Sequence, residues 1–339
     1  MNPDNPKHLQ YGLVRDMLAT VDIVARFNPN QAADTAAKVA RVGRLLMTGE
    51  GSSRIFPAKN TMRFARRRNL PVALQTDGAR QAQEYKLDDW AVFGLSNSGK
   101  TSEIIKLFKD LSAAGHKNLY SLTAFPQSML ESLATKGYVL SCGPEAAVAA
   151  TKSVVEQAMF YQALLEHVGG KPTLKGQLAD LSAKVHQAMT VQVDPALAAK
   201  IANAGTIYFA GRNDGVAEEL TLKTNEITRK KSDFLEGTYA VHGVEEVMDK
   251  NDVVIWIDPF PDSEGKFAEV LAKGVGLTVV AIADRPTPFP TIQVPAAGEL
   301  SPYVYMAAGW NVLVETGMAL GVNLDKPARA RKVGNEFVG

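Results

Sequence analysis

At 339 residues the chain is long enough for two ordinary domains or one large one. Apolar residues make up 46% of it and charged residues 22%, which excludes intrinsic disorder, and a net charge of +1 excludes nucleic acid as a general partner. Cys142 stands alone, so no internal disulfide forms, and neither an apolar leader nor a run of ~18 apolar residues is present; the expected location is the cytoplasm, with no membrane partner.

Pro6 to Asn28 reads as a leading helix inside an N-terminal segment of residues 1–30. A first domain is expected over residues 31–170. It opens with Leu45-Leu46-Met47-Thr48-Gly49, an apolar run ending in glycine, then a polar turn and a helix. Arg63, Arg66, Arg67 and Arg68 read as the solvated end of that helix. Trp90-Ala91-Val92-Phe93-Gly94 follows and feeds a turn crowded with Gly, Ser and Thr, with an amphipathic helix through Ile104, Ile105, Leu107 and Phe108. Gly115 precedes a third strand from Leu119 to Leu122, and Gly143 opens a long apolar helix that closes at Gly169. Thr173 to Val193 reads as a helical connector, and a second domain is expected over residues 195–333.

The second domain repeats the first. Ile207-Tyr208-Phe209-Ala210-Gly211 corresponds to the run ending at Gly49, Val253-Val254-Ile255-Trp256-Ile257 to the run ending at Gly94, and Thr278 to Ile282 to the third strand. Ala297-Gly298-Glu299 opens a second long apolar helix, closing at Gly321. The offsets Gly49–Gly211, Phe93–Trp256 and Gly143–Gly298 are 162, 163 and 155 positions. Continuous rather than alternating apolar strands imply parallel sheets covered on both faces. The fold class is therefore α/β: two tandem αβα sandwiches, each with a doubly wound parallel sheet. In such sheets ligands sit beyond the carboxyl ends of the strands, so the turns after Gly49 and Gly94 are where chemistry is expected.

A turn that enters a helix presents unpaired backbone N–H groups at the positive end of the helix dipole, and hydroxyls added there make a seat for phosphate. Gly94 to Thr101 also spells G-x-x-x-x-G-K-[ST], the nucleotide P-loop, and Asp258 supplies an acidic residue after a strand. Against a nucleotide, Asp258 holds the place in the second half that the Ser-rich turn holds in the first. A complete strand, turn and helix precede Gly94, and Pro259 and Pro261 crowd Asp258. A sugar phosphate is the favoured ligand.

Ser96-Asn97-Ser98-Gly99-Lys100-Thr101 resembles the phosphosugar loop Ser-x-Ser-Gly-x-Thr of the sugar isomerase (SIS) domain family. Gly51-Ser52-Ser53 is similar to that family's first-loop Gly-Thr-Ser, and Gly143-Pro144-Glu145 through Val148-Ala149-Ala150-Thr151-Lys152 to its Gly-x-Glu-x-x-Val-Ala-Ser-Thr-Lys. Leu222-Lys223-Thr224-Asn225-Glu226-Ile227, His242-Gly243 and the tail from Asp325 to Lys332 resemble its Leu-Lys-x-x-Glu-Ile helix, His-Gly loop and Asp-x-Pro-Arg-Asn-Leu-Ala-Lys end. The resemblance runs from about residue 40 to 333. It extends to the isomerase half of glutamine–fructose-6-phosphate aminotransferase and, through Gly99-Lys100-Thr101, to fructosamine-6-phosphate deglycases.

The resemblance implies that Ser52, Ser53, Ser96, Asn97, Ser98 and Thr101 hold a sugar phosphate and that Gly51, Val148 and Ala150 line the sugar. It implies Glu226 as the base that carries a proton between C1 and C2, His242 as the ring-opening acid–base, Lys332 as a Schiff-base lysine and Lys223 as a lysine beside the base. It calls for no cofactor and no metal, and for a homodimer or higher homo-oligomer with His242 donated across subunits. His8, His116, His167 and His186 carry no such pattern and read as surface or packing residues. Ala150 stands where the aminotransferase has serine, and Lys100 where glutamate is common. The start at Met1-Asn2-Pro3 offers no glutaminase nucleophile, so no glutaminase activity is expected. The expected function is that of an aldose–ketose isomerase-type phosphosugar enzyme acting on a fructosamine, ketosamine or amino-sugar 6-phosphate, as deglycase or deaminase/isomerase. The alternative is a non-catalytic phosphosugar-binding regulator.

Overall fold

The computed structural model describes residues 1–331 and 335–338. Its first elements are α1 (Pro6–Leu9), α2 (Gly12–Arg26), α3 (Ala33–Val42), β1 (Arg44–Gly49), α4 (Ile55–Arg67), β2 (Ala73–Gly78), α5 (Ala79–Ala82) and β3 (Ala91–Leu95). Then come α6 (Ser102–Ala113), β4 (Leu119–Thr123), α7 (Met129–Leu133), β5 (Lys136–Val139), α8 (Lys152–Val168), α9 (Leu178–Thr190) and α10 (Pro195–Asn203). The chain closes with β6 (Thr206–Gly211), α11 (Val216–Thr228), β7 (Lys231–Glu236), β8 (Val253–Ile257), α12 (Glu264–Phe267), β9 (Thr278–Ala283), β10 (Thr291–Gln293) and α13 (Ser301–Ala319).

Two compact units result. One comprises Met1–Val21, Ala146–Ala149 and Asp180–Ala330; the other comprises Asp22–Glu145, Ala150–Ala179 and the tail from Arg331. Each holds a five-stranded parallel sheet, in the orders β2-β1-β3-β4-β5 and β7-β6-β8-β9-β10. The two orders are the same when β6 is set against β1, so the repeat seen in the residues is a repeat of topology. In this order the chain reverses direction across the sheet between β1 and β3, and between β6 and β8, which puts a crevice at the carboxyl ends of those pairs.

The six strands expected from continuous apolar runs are the three central strands of each sheet, and every residue of β3, β4 and β8 is buried. Four further strands, β2, β5, β7 and β10, lie at the sheet edges. Their sequences are short and mixed, for example Lys-Ser-Asp-Phe-Leu-Glu in β7, because an edge strand buries only part of its surface. Phe93 anchors the first core, its ring stacked on Tyr120 with centroids 4.9 Å apart and edge-on to Tyr161. The expected leading helix is two, broken at Gln10 and Tyr11 and ending at Arg26. Of the unassigned histidines, His8 pairs with Glu315 at 2.9 Å, His116 and His167 meet the carbonyls of Leu87 and Pro29, and His186 is exposed.

Candidate active site

The turn between β3 and α6 is built around Ser96. Its hydroxyl is almost wholly buried, lies 2.8 Å from the Thr101 hydroxyl and accepts the Gly99 N–H at 3.1 Å. Ser96 is therefore the brace of the turn, while Asn97, Ser98 and Thr101 remain partly exposed. The Ser98 hydroxyl accepts the Lys100 N–H, and the Asn97 and Gly99 carbonyls accept the N–H groups of Ala124 and Leu130, which ties the turn to the end of β4 and the start of α7. Gly94 lies inside β3, opposite Thr48 of β1, and a Cβ there would stand 2.6 Å from the Phe108 ring. The first glycine of the P-loop spelling is thus a packing residue in a strand, and only the short turn from Ser96 to Thr101 lies beyond the strand's carboxyl end.

The turn after β1 meets this one. Gly51–Ser53 forms a single 3-10 turn with Gly51 at φ +53, and Ser52 and Ser53 are half-buried. A Cβ on Gly49 would lie 2.9 Å from the Leu95 carbonyl and 3.0 Å from that of Ser53, so glycine lets the two turns close on each other. The two turns follow the adjacent strands β1 and β3 and carry the half-buried Ser52, Ser53, Ser98 and Thr101 hydroxyls and the Asn97 amide. Hydrogen bonds to an anion are roughly twice as strong as neutral ones, so such a set can hold a phosphate with few cations. Gly99 adopts φ +67, and an added Cβ would meet Ser128 Cβ at 2.4 Å. Gly99→Ala should therefore weaken hexose 6-phosphate binding by about tenfold or more, read by calorimetry, while leaving far-ultraviolet circular dichroism unchanged.

Glu145 is the residue that motif matching alone did not assign. Its buried carboxylate accepts the Thr151 N–H at 2.7 Å, the Ser153 hydroxyl at 3.0 Å and the Asn97 amide at 3.5 Å. It thus ties the turn between β3 and α6 to the start of α8, and its partners lie up to 48 positions away, beyond the reach of local pattern. Glu156 does the same for the preceding loop, accepting the N–H groups of Ser141 and Cys142, each at 2.8 Å. Burial, with the Glu156 and Glu145 charges next in weight, pushes the Cys142 thiol well above the usual thiol range. At pH 8 native protein should react with a chromogenic disulfide reagent at least about 100-fold more slowly than free cysteine, and at a normal rate once unfolded in guanidinium. Because the folded state keeps a proton that the unfolded thiol loses above about pH 8.5, this contribution to stability is present below that pH and is lost as pH rises.

In the other unit an ion pair joins the corresponding strand ends. Asp258 follows β8 at φ +47 and pairs with Arg212, which follows β6, at 2.6 Å. The Arg212 guanidinium also lies 4.2 Å from the Phe260 ring centroid. Asp258, the acidic residue after the strand, is thus engaged by Arg212.

That unit carries an acid–base cluster on α11 instead. Glu219, Lys223 and Glu226 share one face of the helix, as their i, i+4, i+7 spacing requires. The Lys223 ammonium lies 2.6 Å from Glu226 and 3.3 Å from Glu219; Lys223 and Glu219 are fully buried and Glu226 is a quarter exposed. The helix is held close to α13 by Gly309, where a Cβ would meet the Leu220 side chain at 2.3 Å. Of the two carboxylates, Glu226 is the one that can meet a substrate. Glu219 was legible only as a charge four residues before Lys223.

His242 is exposed on the loop after β7, its Nε2 3.3 Å from the Thr238 hydroxyl, and Gly243 beside it takes φ +104. Tyr239 and Val247 flank it as exposed apolar side chains. Val148 is half-buried in the unit of α11, whereas Gly51 and Ala150 belong to the unit of the phosphate turn. Lys100 is exposed. Lys332 lies outside the described residues.

Residues 38–167 match the SIS domain family. The chain is 26% identical over 289 residues to a glutamine–fructose-6-phosphate aminotransferase of Halobacterium salinarum, covering 78% of this chain and 47% of that protein. It spans about half the length of the curated relatives it matches. Among solved structures, a tagatose-6-phosphate ketose/aldose isomerase from Escherichia coli superposes with a TM-score of 0.79 at 15% identity, covering 97% of this chain and 98% of that one. A glucosamine-6-phosphate deaminase from Thermotoga maritima gives 0.75 at 17% identity, covering 95% and 99%. At these identities the two structures speak to the fold.

Proposed function

Because the chain carries an SIS domain and is homologous to the isomerase domain of glutamine–fructose-6-phosphate aminotransferase, we propose that it binds a ketosamine or amino-sugar 6-phosphate and moves a proton between C1 and C2. The observation that carries this reading is the pair of hydroxyl-rich turns closing on each other at the β1–β3 switch point, with Ser96 as their brace. The phosphate rests on Ser52, Ser53, Ser98, Thr101 and the Asn97 amide, and Gly51, Val148 and Ala150 flank the sugar. Glu226 takes a proton from one of the two carbons and returns it to the other through an enaminol. Lys223 holds the Glu226 carboxylate in place, and His242 opens the sugar ring as acid and base. Addition of water to the resulting imine, followed by loss of the amine, gives deglycase or deaminase chemistry.

Two further assignments rest on the resemblance, the second of them together with one observation. Lys332 forms a Schiff base with the sugar carbonyl, and His242 acts in the site of a second copy, as its exposed position between Tyr239 and Val247 allows. The deciding assay incubates the protein with fructoselysine 6-phosphate and with glucosamine 6-phosphate and measures free lysine and ammonia separately. Lysine release identifies a deglycase and ammonia release a deaminase. Release of neither, with tight phosphosugar binding, would identify a non-catalytic regulator, and absence of binding would end the phosphosugar reading altogether.

A further inference from the structure

Residues 323–325 make a turn that touches three segments of one unit. The Asp325 carboxylate accepts the Gly12 N–H at 2.9 Å and the Leu13 N–H at 2.7 Å, so it caps α2 from 313 positions away. Its carbonyl accepts the Val148 N–H at 3.2 Å. One turn into α2, the buried Asp16 carboxylate accepts the Ala146 N–H at 2.6 Å. Gly12 completes the contact: a Cβ there would stand 2.5 Å from Ala146 Cβ. The segment Ala146–Val148 is thus held at both ends, by Asp16 and by Asp325.

The same turn reaches α11. The Asn323 side chain accepts the N–H groups of Asp325 and Lys326 at 3.0 and 3.2 Å, which fixes the direction of the Asp325 carboxylate. The Asn323 carbonyl accepts a hydrogen bond from Arg229, the left-handed C-cap of α11, whose guanidinium also donates to the Glu226 carbonyl at 2.9 Å. A continuous set of hydrogen bonds therefore runs from the backbone of Glu226 through Arg229, Asn323 and Asp325 to Val148.

We propose that Asp325 is a positioning residue: with Asn323 it brackets the segment Ala146–Val148, which carries the sugar-lining Val148, and the end of the base helix α11 in fixed relation to each other. The inference rests on the phosphosugar reading above. It explains why an aspartate is needed at this point of the tail, since a neutral side chain offers no second oxygen for the two adjacent N–H groups at the helix start. The phosphate turns have no part in the bracket, so its loss acts on turnover and spares phosphate affinity.

The test compares wild type with Asp325→Ala, Asp325→Asn and Gly12→Ala, each assayed well below its own melting temperature. For whichever substrate the wild type turns over, Asp325→Ala should lose about tenfold or more in kcat, while the Kd for inorganic phosphate stays within about twofold. Asp325→Asn, which keeps one acceptor oxygen, should recover part of the loss. Exchange of the Ala146 and Val148 amides should accelerate by about tenfold in Asp325→Ala. Gly12→Ala reaches the same bracket sterically and serves if Asp325→Ala does not fold. An active wild type with unchanged kcat in these variants, or kcat and phosphate affinity falling together, overturns the bracket alone. A wild type that neither binds nor converts either phosphosugar overturns the functional reading and the bracket with it.

Discussion

Under the proposed mechanism, Glu226→Gln should bind the phosphosugar substrate as tightly as the parent and turn it over at least about 100-fold more slowly, the usual loss when a positioned proton carrier is removed. The substitution keeps the side-chain volume and an oxygen that can accept from Lys223, so the helix face survives while the exchangeable carboxylate is gone. A regulator would keep its full ligand response, because the proposed phosphate contacts, Ser52, Asn97, Ser98 and Thr101, lie in the other unit. The same variant tests where His242 acts. Mixing Glu226→Gln and His242→Ala protomers after dissociation restores about a quarter of parental activity if Glu226 and His242 come from different subunits, because random pairing makes half the dimers mixed and each mixed dimer has one intact site. No recovery on mixing, with mixed dimers verified by mass spectrometry, would assign both groups to the same chain.

The residues disclosed what repeats and what is apolar. The central strands were legible because burial on both faces demands unbroken apolar runs, as in Val253–Ile257. The edge strands were not, since Thr291–Gln293 or Lys136–Val139 carries no pattern that separates it from a loop. The same division holds at the site. Ser96 to Thr101 lies in one short segment and announces itself, although a list of hydroxyls does not say that Ser96 turns inward as a brace while its neighbours stay partly exposed. Glu145, Glu219 and Asp325 have partners that are remote or are set by three-dimensional packing: Asn97, a fully buried Lys223, and the start of a helix at the other end of the chain. The remote pairings of Glu145 and Asp325 leave no local periodicity to read, and the i, i+4 spacing of Glu219 and Lys223 does not disclose that both are buried.

The largest stability effect is expected at Lys223. Its ammonium is fully buried with Glu219, also fully buried, and with the partly exposed Glu226. Withdrawing an ion from water costs several kcal/mol, and the arrangement persists because each charge finds an opposite one nearby. Lys223→Met removes the cation and leaves two carboxylates on one helix face, one of them cut off from solvent. The expected loss is about 3–5 kcal/mol, the range for breaking a buried pair from one side, and a fall in melting temperature on the order of 10 °C at about 2–4 °C per kcal/mol. The double variant Glu219→Leu/Lys223→Met removes the stranded buried charge together with its partner. It should melt higher than Lys223→Met alone, with non-additivity of about 1–3 kcal/mol in a double-mutant cycle read by reversible chemical denaturation. Restored stability should not bring back turnover, because the ammonium that orients Glu226 is still missing. A double variant that is as active as the parent would mean that Lys223 serves only the fold, and additive losses would mean that Glu219 and Lys223 do not act as a pair.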